Sequence, residues 1–129
     1  MSIAKKKEFE VLIVTENVVY RNNLASALRM QGHVVEFAHG GFHLLHLLEY
    51  PNAINLIVVH EDMQDMSAYE IVSLTRTNRD PKELPILFVS KNLNDENIRE
   101  MLSIGTNDCI VQTPGFQPII AATKKYCSN

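Results

Sequence analysis

Five short apolar runs, which alternate regularly with helical patterns, constrain the fold of this chain more than any other feature. They lie at residues 10–15, 33–38, 55–60, 85–90 and 108–112. The first and third runs are continuously apolar, which is typical of strands that a sheet buries on both faces. The second run mixes polar and apolar residues, so we expect it near an edge of the sheet.

Helical patterns follow the five runs, at about residues 18–31, 40–49, 68–77, 94–103 and 116–126. Gly32, Pro51 and Gly105 stand where helices should end, and Asn94 stands where one should begin. Strands joined by helical crossovers are most simply parallel, and right-handed crossovers place helices on both faces of the sheet. The pattern therefore predicts an α/β fold, a doubly wound five-stranded parallel sheet with (βα)5 order.

Length and composition set limits on domain organisation and partners. The 129 residues, 46% of them hydrophobic, suit one domain, and a net charge of −3 gives no electrostatic case for nucleic acid. A basic run at residues 5–7 predicts a flexible basic leader at 1–8, with the domain at 9–127. Without a secretion signal or an apolar stretch of roughly 20 residues, we expect a cytoplasmic protein that does not bind membranes. Cys109 and Cys127 are expected to be free thiols.

Polar residues stand at the ends of four predicted strands. The carboxyl ends of parallel strands meet at one edge of a sheet, and the loops there usually carry the function. The sequence therefore predicts a site at this edge, built from the loops that begin at residues 15–16, 60–62, 90–91 and 112–113.

Four stretches carry a resemblance to a known family. They are residues 11–14 followed by Glu16, 55–60 followed by Met63 and Met66, 84–90, and 105–112 with Pro114 shortly after. At this spacing the chain resembles the receiver domains of response regulators in two-component signalling (CheY-like domains) over residues 9–126. The resemblance implies the flavodoxin-like receiver fold.

The resemblance also assigns roles to single positions. Receivers hold Mg²⁺ with two acids after the first strand and accept a phosphoryl group on an aspartate that ends the third. A hydroxyl residue, an aromatic switch residue and a lysine follow on the fourth and fifth strands. In this chain those positions carry, in the same order, Thr15 with Glu16, His60, Ser90, Cys109 and Gln112. Glu16 and Ser90 match the family pattern, and the other four depart from it.

These departures remove the chemistry of phosphotransfer. His60 replaces the carboxylate nucleophile, Thr15 replaces a hard oxygen ligand for Mg²⁺, and Gln112 carries no charge to complete the balance. We therefore predict a phosphorylation-independent pseudo-receiver without enzymatic activity, cofactor or metal ion. It would act as a protein–protein interaction module in bacterial-type two-component or related signal transduction.

The expected partner is another protein or a second copy of the chain. Receivers commonly use the surface of the fourth helix, fifth strand and fifth helix, where Arg99, Met101 and Lys124 fall in this sequence. The predicted helix at 40–49 is a second candidate, because apolar residues such as Phe42 and Leu45 cover more of it than one buried face needs. The alternative is that these are ordinary surface and core positions, with that helix packed under the loop at 50–54.

His60 is expected to be hydrogen-bonded to its neighbours and locked in one state. The alternatives are its own phosphorylation, which would make an unconventionally regulated receiver, and a pH-sensitive contact with Glu16. Glu61, Asp62 and Asp65 are expected to form a solvated acidic loop at a helix N-terminus. The alternative there is a residual cation site of Glu16, Asp62 and a backbone carbonyl.

His39, His43 and His46 have the spacing of one helix face, for which zinc binding is one hypothesis. Three histidines on one helix rarely converge on one ion, so we expect surface histidines. A rival class for the whole chain is a flavodoxin-like domain that binds a small ligand. Against this class, no glycine-rich phosphate loop follows the first strand.

Overall fold

The computed structural model describes residues 9–127 and has alternating strands and helices, as predicted. The predicted leader at 1–8 lies outside the described residues. The ten elements are β1 (Glu10–Val14), α1 (Val18–Met30), β2 (Val34–Ala38), α2 (Gly41–Leu48), β3 (Ile54–His60), α3 (Ala68–Thr75), β4 (Ile86–Ser90), α4 (Asp95–Ser103), β5 (Asp108–Val111) and α5 (Gln117–Cys127).

The strands form one parallel sheet in the order β2-β1-β3-β4-β5. The doubly wound α/β prediction is therefore confirmed, as is the expectation that the second strand lies at an edge. Predicted and observed ends of the strands and helices differ by at most two residues. No helix among residues 9–127 is long and apolar enough to cross a membrane.

Two apolar cores lie on opposite faces of the sheet, because successive strand residues point to opposite sides. Val11 and Ile13 of β1 pack into the core beneath α1 and α5. Leu12 and Val14 pack into the core beneath α2, α3 and α4. The central strands are buried on both sides, which explains why their sequences read as continuous apolar runs.

Side-chain caps fix where the helices begin at the functional edge. The Asn17 side chain accepts the Tyr20 amide at the start of α1, and Ser67 and Asn94 cap α3 and α4 in the same way. Beyond α4, Gly105 has a φ of +108°, which favours glycine and lets the chain turn toward β5. These caps place the loops after the strands at defined positions along the carboxyl edge.

Candidate functional site

The carboxyl edge of the sheet brings together the polar residues that end the central strands. Val14 pairs with Val59, His60 with Val89, and Ser90 with Val111, so the strands reach this edge nearly level. Thr15, His60 and Ser90 are buried there, and Gln112 is half-buried.

His60 is the centre of a hydrogen-bonded chain that crosses three strands. Its imidazole is fully buried; Nδ1 lies 3.0 Å from the Thr15 hydroxyl, and Nε2 lies 2.7 Å from Oε1 of Gln112. Because an amide oxygen only accepts hydrogen bonds, Nε2 carries the proton and donates a hydrogen bond to Gln112. Nδ1 then accepts from the Thr15 hydroxyl, and the Asp62 backbone N–H makes a longer contact with it at 3.4 Å. The arrangement fits a neutral imidazole with its proton on Nε2.

Tyr20, in the first turn of α1, covers one face of this imidazole. The two rings stack at 3.9 Å between centroids and 15° between planes, and Phe116 meets the Tyr20 ring edge-on at 5.8 Å. The Tyr20 hydroxyl is buried, and no described residue hydrogen-bonds to it. Burial raises the pKa of this hydroxyl well above its ordinary value of 10.0.

No sequence motif marks Tyr20 as a residue of the site. The available signal was its spacing of four from Leu24 and eight from Leu28, which puts all three on the buried face of α1. That spacing predicts burial, but it does not predict which residue of the sheet the ring covers.

Glu16 does not contact His60, so the hypothesis of a His60–Glu16 pair is wrong. The Glu16 carboxylate instead accepts hydrogen bonds from the backbone amides of Gln64 and Asp65. The carboxylate that lies near the imidazole belongs to Asp62, with Oδ2 3.8 Å from Nδ1 of His60. The sequence places Asp62 in this loop but does not predict that its carboxylate lies near His60.

The carboxylates of the predicted solvated acidic loop are exposed or half-buried, and each also has defined hydrogen-bond partners. The Asn17 side chain donates to Asp62 at 2.9 Å. Glu61 accepts from the Ser90 hydroxyl at 3.0 Å and from the Lys91 amide at 2.5 Å. Ser90 therefore bonds to the loop, and no hydrogen bond between Ser90 and His60 occurs among residues 9–127.

Asp65 sits at a helix N-terminus, but at that of α2 rather than that of α3. Its carboxylate accepts from the backbone amides of Gly41 at 3.1 Å and Phe42 at 3.2 Å. Gly40 permits this approach, because a Cβ there would lie 2.6 Å from an oxygen of Asp65. The loop after β3 is thereby attached to α2.

The histidines at residues 39–46 lie near one another without forming a metal centre. His43 Nδ1 accepts the His39 backbone amide at 3.0 Å, and their rings stack at 4.9 Å. His46 lies 3.9 Å from Glu49. Burial, together with the neighbouring charges of His39 and His46, lowers the pKa of His43. No group of three or more potential ligands that could hold a metal ion occurs within residues 9–127, so zinc is not supported.

The predicted interface residues differ in exposure. Arg99, Lys124 and Phe42 are exposed, and Leu45 is half-buried against the core. Met101 is buried in the core beneath α4, so its assignment to a contact surface is wrong. Its position in α4 predicted a side chain on the surface of α4, β5 and α5, but the rotation of the helix turns the Met101 side chain into the core.

Cys109, which the resemblance places at the switch position, is half-buried and packs against the same core as Met101. Burial, with the neighbouring Asp108 carboxylate, raises the pKa of its thiol. Cys127 is buried and is also a free thiol, as predicted.

The strands, helices and carboxyl-edge loops define a doubly wound α/β domain, and comparison with known proteins identifies its family. The chain matches the model of the response regulator receiver domain over residues 11–124. It therefore belongs to this family and is a receiver domain of the kind found in two-component response regulators.

Individual relatives agree with this assignment. The two-component response regulator ORR3 of Oryza sativa subsp. indica is 23% identical over 105 residues, 81% of this chain and 80% of that protein. The two-component response regulator ORR12 of Oryza sativa subsp. japonica is 26% identical over 102 residues, 79% of this chain and 84% of that protein. The structure of chemotaxis response regulator CheY4 of Vibrio cholerae superposes with a TM-score of 0.83 at 21% identity, covering 93% of this chain and 99% of that one.

The residues at the carboxyl edge do not fit the magnesium ion that the resemblance to receivers implies. Mg²⁺ needs oxygen ligands in near-octahedral array around one point. Here the Glu16 carboxylate is held by backbone amides, the Glu61 carboxylate by Ser90 and Lys91, and His60 is buried within its own hydrogen bonds. Asp62 alone of these carboxylates borders His60, and it is already bonded to Asn17.

Proposed function

We propose that this chain is a pseudo-receiver that works without the receiver phosphorylation cycle and transmits its signal by protein contact. The observation that carries the proposal is the buried imidazole of His60, at the position that the family resemblance assigns to the phosphoacceptor aspartate. The imidazole is fully buried and bonded at both ring nitrogens.

Neither nitrogen of His60 is free to act as a nucleophile. Nε2 carries the proton that Gln112 accepts, and the lone pair of Nδ1 accepts the Thr15 hydroxyl. Attack on a phosphoryl group would require one of these bonds to break and the ring to leave its stack on Tyr20. This supports loss of phosphotransfer over transfer to histidine.

The three substituted positions also support one another. A neutral imidazole between the Thr15 hydroxyl and the Gln112 amide has a hydrogen-bond partner at both ring nitrogens, without an ion or a buried charge. Restoring one family residue alone would leave a buried polar group without its partner, which costs roughly 1–3 kcal/mol. The site is thus a consistent neutral network, which favours a fixed role over residual phosphotransfer.

The surface of α4, β5 and α5 supports a protein partner. β5 is an edge strand, Val111 on it is 49% exposed, and a groove of about 520 Å³ runs between β5 and α5. Lys125 of α5 lines this groove and is exposed, whereas Lys124 lies near His33, beside the opposite edge strand β2. We propose that a protein partner binds here, and that partner binding rather than phosphorylation sets the state of the domain.

The test is incubation of the chain with Mg²⁺ and acetyl phosphate, and separately with Mg²⁺ and beryllium fluoride. Intact mass and backbone amide NMR shifts report the outcome. We expect no phosphoryl adduct and no shifts around residue 60. Stoichiometric modification, or large shifts around residue 60, would overturn the proposal.

The matched control is the triple variant His60→Asp, Thr15→Asp, Gln112→Lys. Because it restores the acceptor, the second acid and the cation at once, we expect Mg²⁺-dependent shifts in this variant that the parent chain lacks. If the variant folds, as circular dichroism would show, but binds no Mg²⁺, the inference that these three residues alone silence the site is wrong.

A further inference from the structure

An apolar groove between α2 and α3 is the second surface feature that the proposed function does not use. It has a volume of about 220 Å³ and lies between Leu45 and Leu48 of α2 and Leu74 of α3. Leu74 is 44% exposed, and Phe42, one turn before Leu45, is 66% exposed. An exposed apolar strip of this kind is typical of a contact surface.

Opposite charges border the same groove. Glu49 and Arg79 are both lining residues. Glu49 lies 3.9 Å from His46, and the Arg79 side chain makes a hydrogen bond of 3.5 Å to the Leu48 carbonyl. Within residues 9–127, Glu49 forms no ion pair with a lysine or arginine, and Arg79 forms none with a carboxylate. The groove thus has an apolar floor with one acid and one base left for an external partner.

We infer that this groove binds the same groove of a second copy of the chain, in a two-fold symmetric dimer. A two-fold axis brings identical surfaces together, so a residue of one copy meets a different residue of the other, and the reverse contact is made as well. Glu49 of each copy would face Arg79 of the other, while Leu74 and Leu45 cover each other. A surface that carries both charges beside leucines is complementary to itself, which commits the groove to this occupant.

The dimer leaves the surface of α4, β5 and α5 free. It extends the proposed function without depending on it, because a dimer through α2 and α3 presents two copies of the partner surface. Failure of the dimer and failure of the proposed function are therefore separate results.

Charge reversal tests the arrangement by sedimentation equilibrium of the full chain. Glu49→Arg alone and Arg79→Glu alone each place like charges opposite each other twice, so each should weaken dimerisation by at least about tenfold. An equimolar mixture of the two variants restores both pairs, and we expect it to form a heterodimer at least as tight as the parent dimer. A parent chain that is monomeric at high micromolar concentration, or a mixture that stays monomeric, would overturn the inference.

A pair of matched leucines locates the interface independently of the charges. Leu74 on α3 and Leu102 on α4 are 44% and 45% exposed, so glutamate should be equally tolerated by the fold at both. We expect Leu74→Glu to dissociate the dimer and Leu102→Glu to leave it intact. The opposite result would place the dimer on the α4 side and refute the α2–α3 assignment.

Discussion

Removing the hydroxyl of Tyr20 should stabilise the domain, although it shortens a buried side chain. The hydroxyl is buried with no hydrogen-bond partner among the described residues, while the ring stacks on His60. Tyr20→Phe keeps the ring and removes a buried unsatisfied polar group, whose burial costs roughly 1–3 kcal/mol in proteins. We expect a gain of about 1 kcal/mol in the free energy of unfolding, which for a domain of this size raises Tm by about 4 °C.

Tyr126 is the matched control, because its hydroxyl donates to the Asn107 carbonyl at 3.1 Å. The same chemical change, Tyr126→Phe, removes a made hydrogen bond and should cost about 0.5–1.5 kcal/mol. Urea unfolding with unchanged m-values compares the two variants directly. If Tyr20→Phe loses as much stability as Tyr126→Phe, the assignment of the Tyr20 hydroxyl as unsatisfied is wrong.

Alkaline pH gives a second readout of the same burial. Because the pKa of Tyr20 is raised in the folded state, the folded chain keeps a proton that the unfolded chain releases above its ordinary value of 10.0. The folded state then binds more protons, so this contribution to stability is present below about pH 10 and is lost as pH rises further. The free energy of unfolding of Tyr20→Phe should fall less between pH 9 and pH 11 than that of the parent chain; equal slopes would contradict the raised pKa.

Two further predictions concern positions that hold loops in place. Gly41→Ala would set a Cβ 2.8 Å from Met66, so we expect urea unfolding to show a loss of about 1–2 kcal/mol in the free energy of unfolding. Gly115→Ala is the control: a Cβ at Gly115 would have no atom within 4 Å, so this variant should change stability by less than about 0.5 kcal/mol. Arg76 donates hydrogen bonds to the Gly105 and Leu84 carbonyls and to the Asn107 side chain. Arg76→Met should therefore lower the free energy of unfolding by at least about 2 kcal/mol. Arg99 is exposed, so the control Arg99→Met should leave stability almost unchanged. A silent Arg76→Met would show that these carbonyls find other donors.

The sequence was sufficient for the architecture and for the composition of the site. Continuous apolar runs between helical patterns have few solutions other than a parallel sheet covered on both faces, and the caps at Asn94 and Gly105 are local signals that do not depend on distant contacts. The chain topology then brings Thr15, His60, Ser90 and Gln112 to one edge, because parallel strands end together.

The tertiary structure decided which of these side chains meet. A contact between Glu16 and His60 was one alternative, but the Glu16 carboxylate accepts two backbone amides of the loop after β3, and Asp62 lies beside the imidazole instead. Sequence spacing gives the end of a strand to about one residue, but it does not give the direction of a loop side chain. The rotation of α4 similarly turned Met101 inward, where an exposed contact was expected.

Tyr20 shows most clearly what the sequence predicts and what only the packing decides. Its spacing from Leu24 and Leu28 determined, from the sequence alone, that it faces the sheet. Its stacking on His60 depends on how α1 packs across β1 and β3. Tyr20 and His60 are 40 residues apart in the sequence, and no local pattern encodes a contact over that separation. The sequence determined that His60 would stand at the carboxyl edge with Thr15, Ser90 and Gln112. Packing decided that Tyr20 covers it, because side-chain contacts between distant elements depend on the close packing of the core.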